Sequence, residues 1–437
     1  MTNNHSKKIG LLLMGILCFM ILGSITLKSL HLSSDTLEKA MDVKTAAIDN
    51  YKLDLTITWG SSSSDKGNDI SLDNSGNIYI TGETSSFGEG DEDAFIVKYD
   101  SSGAQQWNTT WGGTSQDIGE GIAVDTSGNV YITGGTSSFD EGSGDVFIAK
   151  YDSSGAQQWN TTWGDVSADQ GFGIALDSSG NICITGRSNS DAFIAKFDNS
   201  GAQQWNSTWG GNVGSDIVVD TSENIYITGS FGGYGADAFI TKYNSSGAQQ
   251  WNTTWGDENE YYGNGIALDN SGNIYISGYI YNTSSTITDI FIAKFNSSGT
   301  QQWNTTWGGD DEDYGNDITL DNSGNIYITG STYSFGVGYG DVFIAKYNNS
   351  GTLLWDTTWG GGSVDQGHGI ALDSSSNIYI TGSYGISALE AFILRYVPSP
   401  PSESATISFD IFFLIPVGMA IVAITIYEIN LNKKQKD

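Results

Sequence analysis

The 437 residues include only two cysteines, Cys18 and Cys183, and three histidines. Cys18 lies in an apolar run, and two distant thiols build neither a disulfide framework nor a Cys/His metal site. One histidine, His368, falls between residues 53 and 397, where related positions hold Glu120, Phe172 or Asn316. No G-x-S-x-G elbow and no H-E-x-x-H stretch occurs. The chain is therefore read as not an enzyme. Basic residues are scarce as well. Lys and Arg total 18 against 50 Asp and Glu, and between residues 29 and 406 the balance is 12 to 47. A surface of that sign repels nucleic acid and anionic headgroups. Helical periodicity is nearly missing between 53 and 397.

A repeated stretch fills that space. A closing tryptophan recurs at Trp59, Trp111, Trp163, Trp209, Trp255, Trp307 and Trp359, at intervals of 52, 52, 46, 46, 52 and 52 residues. A period of this size marks a solenoid or a propeller. Each unit holds four short runs rich in β-branched and aromatic residues. In the second unit they are Gly121 to Asp125, Asn129 to Gly134, Asp145 to Asp152 and Gln157 to Trp163. The turns T-S-G-N and S-S-G-A between them suit tight reversals. The unit reads as a four-stranded antiparallel meander. Run three puts Phe147, Ala149 and Tyr151 on one face and Ile148 on the other, so both faces need cover. Stacking around an axis supplies it, and the fold class is an all-β propeller. Each run occurs seven times, which predicts seven blades over residues 53–397. The phase is offset: the series starts with a fourth run (Leu53 to Trp59) and ends with a third (Ala391 to Tyr396). Pairing these two closes the ring with an N-terminal outer strand.

The core G-I-A-L-D-x-S-G-N-I-Y-I-T-G resembles the SBBP repeat, the seven-bladed β-propeller repeat family. The resemblance covers about residues 53 to 397 and implies a surface or secreted protein without defined chemistry. Asp152-S-S-Gly155-A-Q-Q-Trp159 is similar to the D-x-x-G-x-x-x-W docking motif of quinoprotein propellers, whose cofactor-binding residues have no match here. That likeness implies only a packing role, with Trp107, Trp159, Trp205, Trp251, Trp303 and Trp355 wedged between blades.

The flanks differ in kind. Residues 1–8 carry Lys7 and Lys8, and 9–27 form an apolar run that fits a signal peptide or an uncleaved anchor. Residues 29–52 read as a stalk with a short helix over 35–48, Asp35 and Glu38 capping it and Leu37, Met41 and Ile48 on one side. Residues 398–406 form a stiff Pro/Ser linker. Residues 407–428 hold a second apolar run, expected as a transmembrane helix, and 429–437 a basic tail with Lys433, Lys434 and Lys436. Lysines outside both runs put both ends in the cytoplasm and the propeller outside the cell membrane.

The function expected is a membrane-anchored extracellular scaffold that binds a glycan or protein ligand. A structural envelope component without a specific ligand and a polysaccharide-active enzyme are the alternatives. The one-to-two and three-to-four turns share one face of the ring and hardly vary. The opposite face carries variable loops with aromatics beside acids, which suit sugar stacking or a protein partner. Its candidate ligand-binding residues are Phe87, Phe139, Phe172, Tyr234, Tyr261, Tyr262, Tyr281, Tyr314, Tyr333, Phe335, Tyr339 and Tyr384. Sequons stand at Asn108, Asn160, Asn206, Asn252 and Asn304 on run four, at Asn244, Asn296 and Asn348 in the following turns, and at Asn282. Asp310, Asp311 and Asp313 could gather Ca²⁺, the one cofactor left open. The ring of Lys98, Lys150, Lys196, Lys242, Lys294, Lys346 and Arg395 reads as snorkelling side chains paired with nearby Asp.

Overall fold

Strand propensity and turn chemistry produce the same unit seven times. The computed structural model describes residues 51–139, 142–232, 236–385 and 388–399. Both apolar runs, the basic tail, Tyr234 and most of the expected stalk and linker lie outside the described residues. Among the described residues there are 28 strands, in seven four-stranded antiparallel sheets, and no helix. No helix there is long and apolar enough to cross a membrane.

Blade 1 comprises β2 (Asp65–Leu72), β3 (Ile78–Thr84), β4 (Asp93–Tyr99) and β5 (Gln105–Trp111). Blades 2 to 6 repeat that order, from β6 (Asp117–Val124) to β9 (Gln157–Trp163), β10 (Asp169–Leu176) to β13 (Gln203–Gly210), β14 (Asn212–Val219) to β17 (Gln249–Trp255), β18 (Glu260–Leu268) to β21 (Gln301–Trp307), and β22 (Asp313–Leu320) to β25 (Leu353–Trp359). The seventh sheet runs β1 (Tyr51–Trp59), β28 (Glu390–Pro398), β27 (Ile378–Tyr384), β26 (Gln366–Leu372). The innermost strands touch their neighbours all the way round, β2 meeting both β6 and β26.

The two middle strands of each blade are buried on both faces, as in β3 and β4. One face of blade 1 (Ile78, Ile80, Phe95, Val97) packs on Tyr379, Ala391 and Ile393 of blade 7. The other (Tyr79, Ala94, Ile96) packs on Val130, Ile132 and Phe147 of blade 2. Each large apolar side chain buried this way contributes about 1.5–3 kcal/mol. Outer strands alternate exposed and half-buried residues because only one edge and part of one face are covered.

The turns and the docking tryptophans work as the residues suggest. Asp73 Oδ1 accepts the Ser75 and Asn77 N–H groups, both at 2.9 Å, and Asn77 Nδ2 and the Tyr79 hydroxyl donate to Oδ2 at 2.6 and 3.0 Å. Trp107 Nε1 donates to Ser153 O of the next blade at 3.2 Å. A Cβ added to Gly155 would stand 2.7 Å from Trp107 Cδ2, so the indole presses on a turn that only glycine can form. Trp355 has no such turn to meet, because blade 7 ends its third strand at Pro398. Tyr51 takes the place, its ring 5.3 Å from Trp355 and its hydroxyl 3.0 Å from that of Tyr327.

The lysine ring departs from the expected Asp pairing. Register puts each lysine across from a tyrosine, as in Tyr79↔Lys98. Lys98, Lys150, Lys242, Lys294 and Lys346 lie 4.8–5.2 Å over the rings of Tyr79, Tyr131, Tyr226, Tyr275 and Tyr327. The tyrosine hydroxyl has already taken the turn Asp. Blade 3 has Cys183 at the tyrosine position, buried and without a ring. There Lys196 reaches past it to Asp177 Oδ2 at 2.8 Å, and both side chains are buried. Arg395 pairs with Asp54 at 2.5 Å. Lys196→Ala should therefore cost about 3 kcal/mol by leaving the buried Asp177 without its cation, held only by Ser179 and Asn181. Lys98→Ala should cost about 1 kcal/mol or less. Chemical denaturation of the two variants checks this, and equal losses would contradict the pairing.

Candidate functional site

The face that carries the β-two-to-three loops is built on buried aspartates. Thr84 Oγ1 donates to Asp65, and so do Ser86 Oγ at 2.6 Å and Ser61 N at 2.9 Å. Asp117 gathers Thr136, Ser138 and Gly113 N in the same way. The loops so fixed lay Phe87, Phe139 and Phe335 on Trp59, Trp111 and Trp307, with ring centres 5.2, 5.4 and 5.0 Å apart. These phenylalanines stay half-exposed, and Phe231, Tyr333 and Tyr339 are exposed on the same face.

Between blades 5 and 6 the aromatics meet. Tyr262 on β18 stacks on Tyr279 of β19 (Ile274–Tyr281), with rings 4.7 Å apart and 16° from parallel. Tyr279 meets Tyr314 edge-on at 5.1 Å, and Tyr314 meets Tyr333 at 6.5 Å. The Tyr262 hydroxyl donates to Glu260 at 3.0 Å and that of Tyr314 to Glu312 at 2.9 Å. Burial first, then these carboxylates, pushes both phenols up to about 12. They are neutral in ordinary buffers, able to stack and to hydrogen-bond. Tyr262, Tyr314 and Tyr333 are thus brought together by the fold, with Tyr279 added.

Other candidates fall elsewhere. Tyr261 is 7% exposed and packs on Trp255 at 4.5 Å, filling the space beside Gly256, so it belongs to the core and not to an exposed face. Phe172, Tyr261, Tyr262, Tyr314 and His368 stand on inner strands, not in four-to-one loops. The strands begin earlier than the glycines suggested, because each takes a β-bulge there. Tyr281 ends β19 and is half-buried. Tyr384 ends β27, and its hydroxyl donates to Glu390 at 2.7 Å. Asp310 and Asp311 are exposed, whereas Asp313 is buried and accepts from Gly309 N at 2.9 Å and Ser334 Oγ at 2.8 Å. Among the described residues no group of three acids, histidines or cysteines gathers in a metal-holding arrangement. Asn108, Asn160, Asn206, Asn252 and Asn304 are exposed on outer strands. Asn244, Asn296, Asn348 and Asn282 are half-buried, each with its Oδ1 holding its own turn.

The central channel is the part that sequence reasoning missed. Every inner strand shifts register at one residue: Asn68, Glu120, Phe172, Ser215, Asn264, Asn316 or His368. Asn68, Asn264 and Asn316 each donate to the bulge glycine carbonyl of the next blade at 2.8–2.9 Å, and His368 Nδ1 does the same to Gly67 O at 2.9 Å. Asp69, Asp216 and Asp317 follow their bulges and accept the N–H of Ile122, Ile266 and Ile370 one blade on, at 2.8–2.9 Å. Burial pushes Asp69 up to about 7 and Asp216 to about 6. Asp317 rises well above the carboxylate range by burial and by the charges of Asp216 and Asp69. Glu120 is pushed up to about 7 by burial and by Glu83, against the donation from Gln170 at 2.8 Å. Only the repeated inner-strand glycine, replaced by Asp in three blades, signalled this in the sequence.

With seven blades, docking tryptophans and the loop face described, the relatives can be placed. Residues 57–88, 106–140, 159–194, 302–336 and 359–383 match the SBBP beta-propeller repeat. The chain is an SBBP-repeat protein. Two curated relatives share parts of it. Regulatory protein FlaEY of Caulobacter vibrioides is 28% identical over 115 residues, 23% of this chain and 12% of that protein. An uncharacterized WD repeat-containing protein of Acanthamoeba polyphaga mimivirus, L264, is 25% identical over 371 residues, 68% of this chain and 26% of that protein. The SBBP-repeat chain thus spans about a quarter or less of either relative. Among solved structures, the WD40 beta propeller domain of Doa1 superposes with a TM-score of 0.50 at 12% identity, covering 79% of this chain and 97% of that one. That likeness shows the fold alone.

Proposed function

We propose that this SBBP-repeat chain is a membrane-anchored extracellular scaffold whose variable-loop face binds a glycan or protein ligand. The tyrosine cluster of Tyr262, Tyr279, Tyr314 and Tyr333, hydrogen-bonded to Glu260 and Glu312, is the observation that carries this reading. Neutral aromatic rings beside carboxylates supply stacking surface and hydrogen-bond acceptors together, which suits sugar hydroxyls or a partner's polar side chains. The exposed phenylalanines extend the same face. The opposite face is made of near-identical turns whose polar groups are consumed by their own backbone. The apolar runs 9–27 and 411–427 and their flanking lysines support anchorage. On the same reading, β1 is the strand that closes the ring.

The test is an array of glycans and of extracellular proteins probed with the chain, with and without calcium. Replacing Tyr262, Tyr314, Tyr333 and Phe335 together by Ser should weaken any hit about tenfold or more, roughly 1.4 kcal/mol. Binding that survives this change, yet is lost when the S-S-G-A turns are altered, would put the site on the wrong face.

A further inference from the structure

We infer that the outer rim of blades 6 and 7 rests against a lipid bilayer. The inference rests on the membrane-anchored reading above and adds which edge of the propeller meets the membrane.

The observation is a change of residue type at one place in the repeat. Five outer strands open with an exposed Gln-Gln pair: Gln105–Gln106, Gln157–Gln158, Gln203–Gln204, Gln249–Gln250 and Gln301–Gln302. In β25 the pair is Leu353 and Leu354, 40% and 46% exposed. In β1, Leu53 lies opposite Tyr396 as Gln105 lies opposite Tyr99, and it is 41% exposed. The two altered strands belong to adjacent blades, and the Tyr51 ring bridges them by packing on Trp355. The two altered strands therefore stand side by side at the rim, joined where Tyr51 meets Trp355. Repetition elsewhere shows that glutamine serves these positions in water, so the leucines mark a surface with a different neighbour.

Charge and chain path choose the neighbour. A chain with a net charge of −32 is repelled by headgroups over most of its surface. At this rim Asp54 is paired with Arg395, Asp356 accepts from Trp307 Nε1 at 3.0 Å, and Lys52 is exposed. The acids there are partnered and a cation is free to face a headgroup. Tyr51 also pairs with Pro398, so both ends of the propeller leave at this rim. Twelve residues, 399–410, separate Pro398 from the apolar run that begins at Ile411. Fully extended they reach about 40 Å, so a bilayer that holds the run lies within that distance of the end of blade 7.

The experiment uses the full chain in phosphatidylcholine vesicles that contain a doxyl-labelled phosphatidylcholine. In a Cys18→Ser background, with Cys183 buried, an environment-sensitive fluorophore is placed at Leu354→Cys or, for comparison, at Gln158→Cys on the matching strand of blade 2, across the ring. Flotation of the chain with the vesicles is measured in parallel. We expect quenching at position 354 to exceed that at 158 several-fold, and Leu53→Gln with Leu353→Gln to abolish the difference while flotation persists. Equal quenching, or none, in chains that still float would overturn the rim contact and leave the anchorage standing. Failure to float would remove both. A dimer in solution that the two Leu→Gln changes dissociate would assign this rim to a second copy of the chain and overturn the lipid contact.

Discussion

A chain lacking residues 51–59 is expected to melt more than about 10 °C below the intact chain and to aggregate on standing. The deletion removes the ladder from Tyr51↔Pro398 to Trp59↔Ala391. It also strips Trp59 from Phe95, where the rings stack at 4.0 Å, and Ile57 from the cluster between blades 7 and 1. Trp355 loses Tyr51, and Arg395 loses Asp54. Removing one buried large aromatic costs about 3–5 kcal/mol, and here two aromatics leave together with a strand. The unpaired edge of β28 then becomes a template for another chain. A synthetic peptide of residues 50–60 should restore part of the lost melting temperature by adding the missing strand in trans. An unchanged melting temperature would refute the role assigned to β1.

How far the sequence carries the argument depends on which residues are duplicated. The seven sheets were legible because each has its own Trp-Gly, its own D-x-S-x-N turn, with glycine at the fourth place in five of them, and its own apolar third strand. The wedging of Trp107 between blades followed from the likeness to the D-x-x-G-x-x-x-W docking motif, and the structure adds that it seats on Gly155. The inner strands were not. A glycine on either side of the bulge residue reads as loop, so the first run seemed to start at Gly121 although β6 starts at Asp117. Tyr262 and Tyr314 were consequently assigned to loops. Tyr279 was missed because it continues an I-Y-I-S-G strand pattern whose counterparts are Glu83, Gly135 or Ser331. Its contact with both tyrosines arises only when blade 6 packs against blade 5. The lysine partners depended on cross-strand register, which exchanges Asp for a tyrosine ring in five blades and restores Asp where Cys183 replaces the tyrosine. Asp69, Asp216 and Asp317 sit far apart in sequence, and nothing local shows that closing the ring faces them into one channel.

Those three aspartates make stability depend on pH in an unusual direction. In the folded chain burial raises Asp69 to about 7 and Asp216 to about 6, and Asp317 and Glu120 are raised as well. Unfolded, the same carboxyls titrate near 4. Between those values the folded chain binds protons that the unfolded chain does not, so stability rises as pH falls from 8 toward 5. Two sets of groups oppose this at lower pH. Against partial burial, hydrogen bonds hold Asp73, Asp125, Asp220 and Asp269 below the ordinary carboxylate range, so their contribution is present above about 4 and is lost in stronger acid. Burial also lowers His368, which costs stability as pH falls through its ordinary range near 6.5. The four raised carboxyls outnumber the one histidine, so the melting temperature should peak near pH 5 and stand about 5 °C or more above its value at pH 8. Relief of general repulsion in so acidic a chain acts in the same direction, and the variant Asp69→Asn, Asp216→Asn, Asp317→Asn separates the two. Each asparagine keeps an oxygen for the isoleucine N–H of the next blade but carries no charge to desolvate. The variant should be the more stable protein at pH 8 and should lose most of the pH dependence. A wild-type melting temperature that rises from pH 5 to pH 8, or a variant whose profile parallels the wild type, would show that the channel carboxyls are not the source.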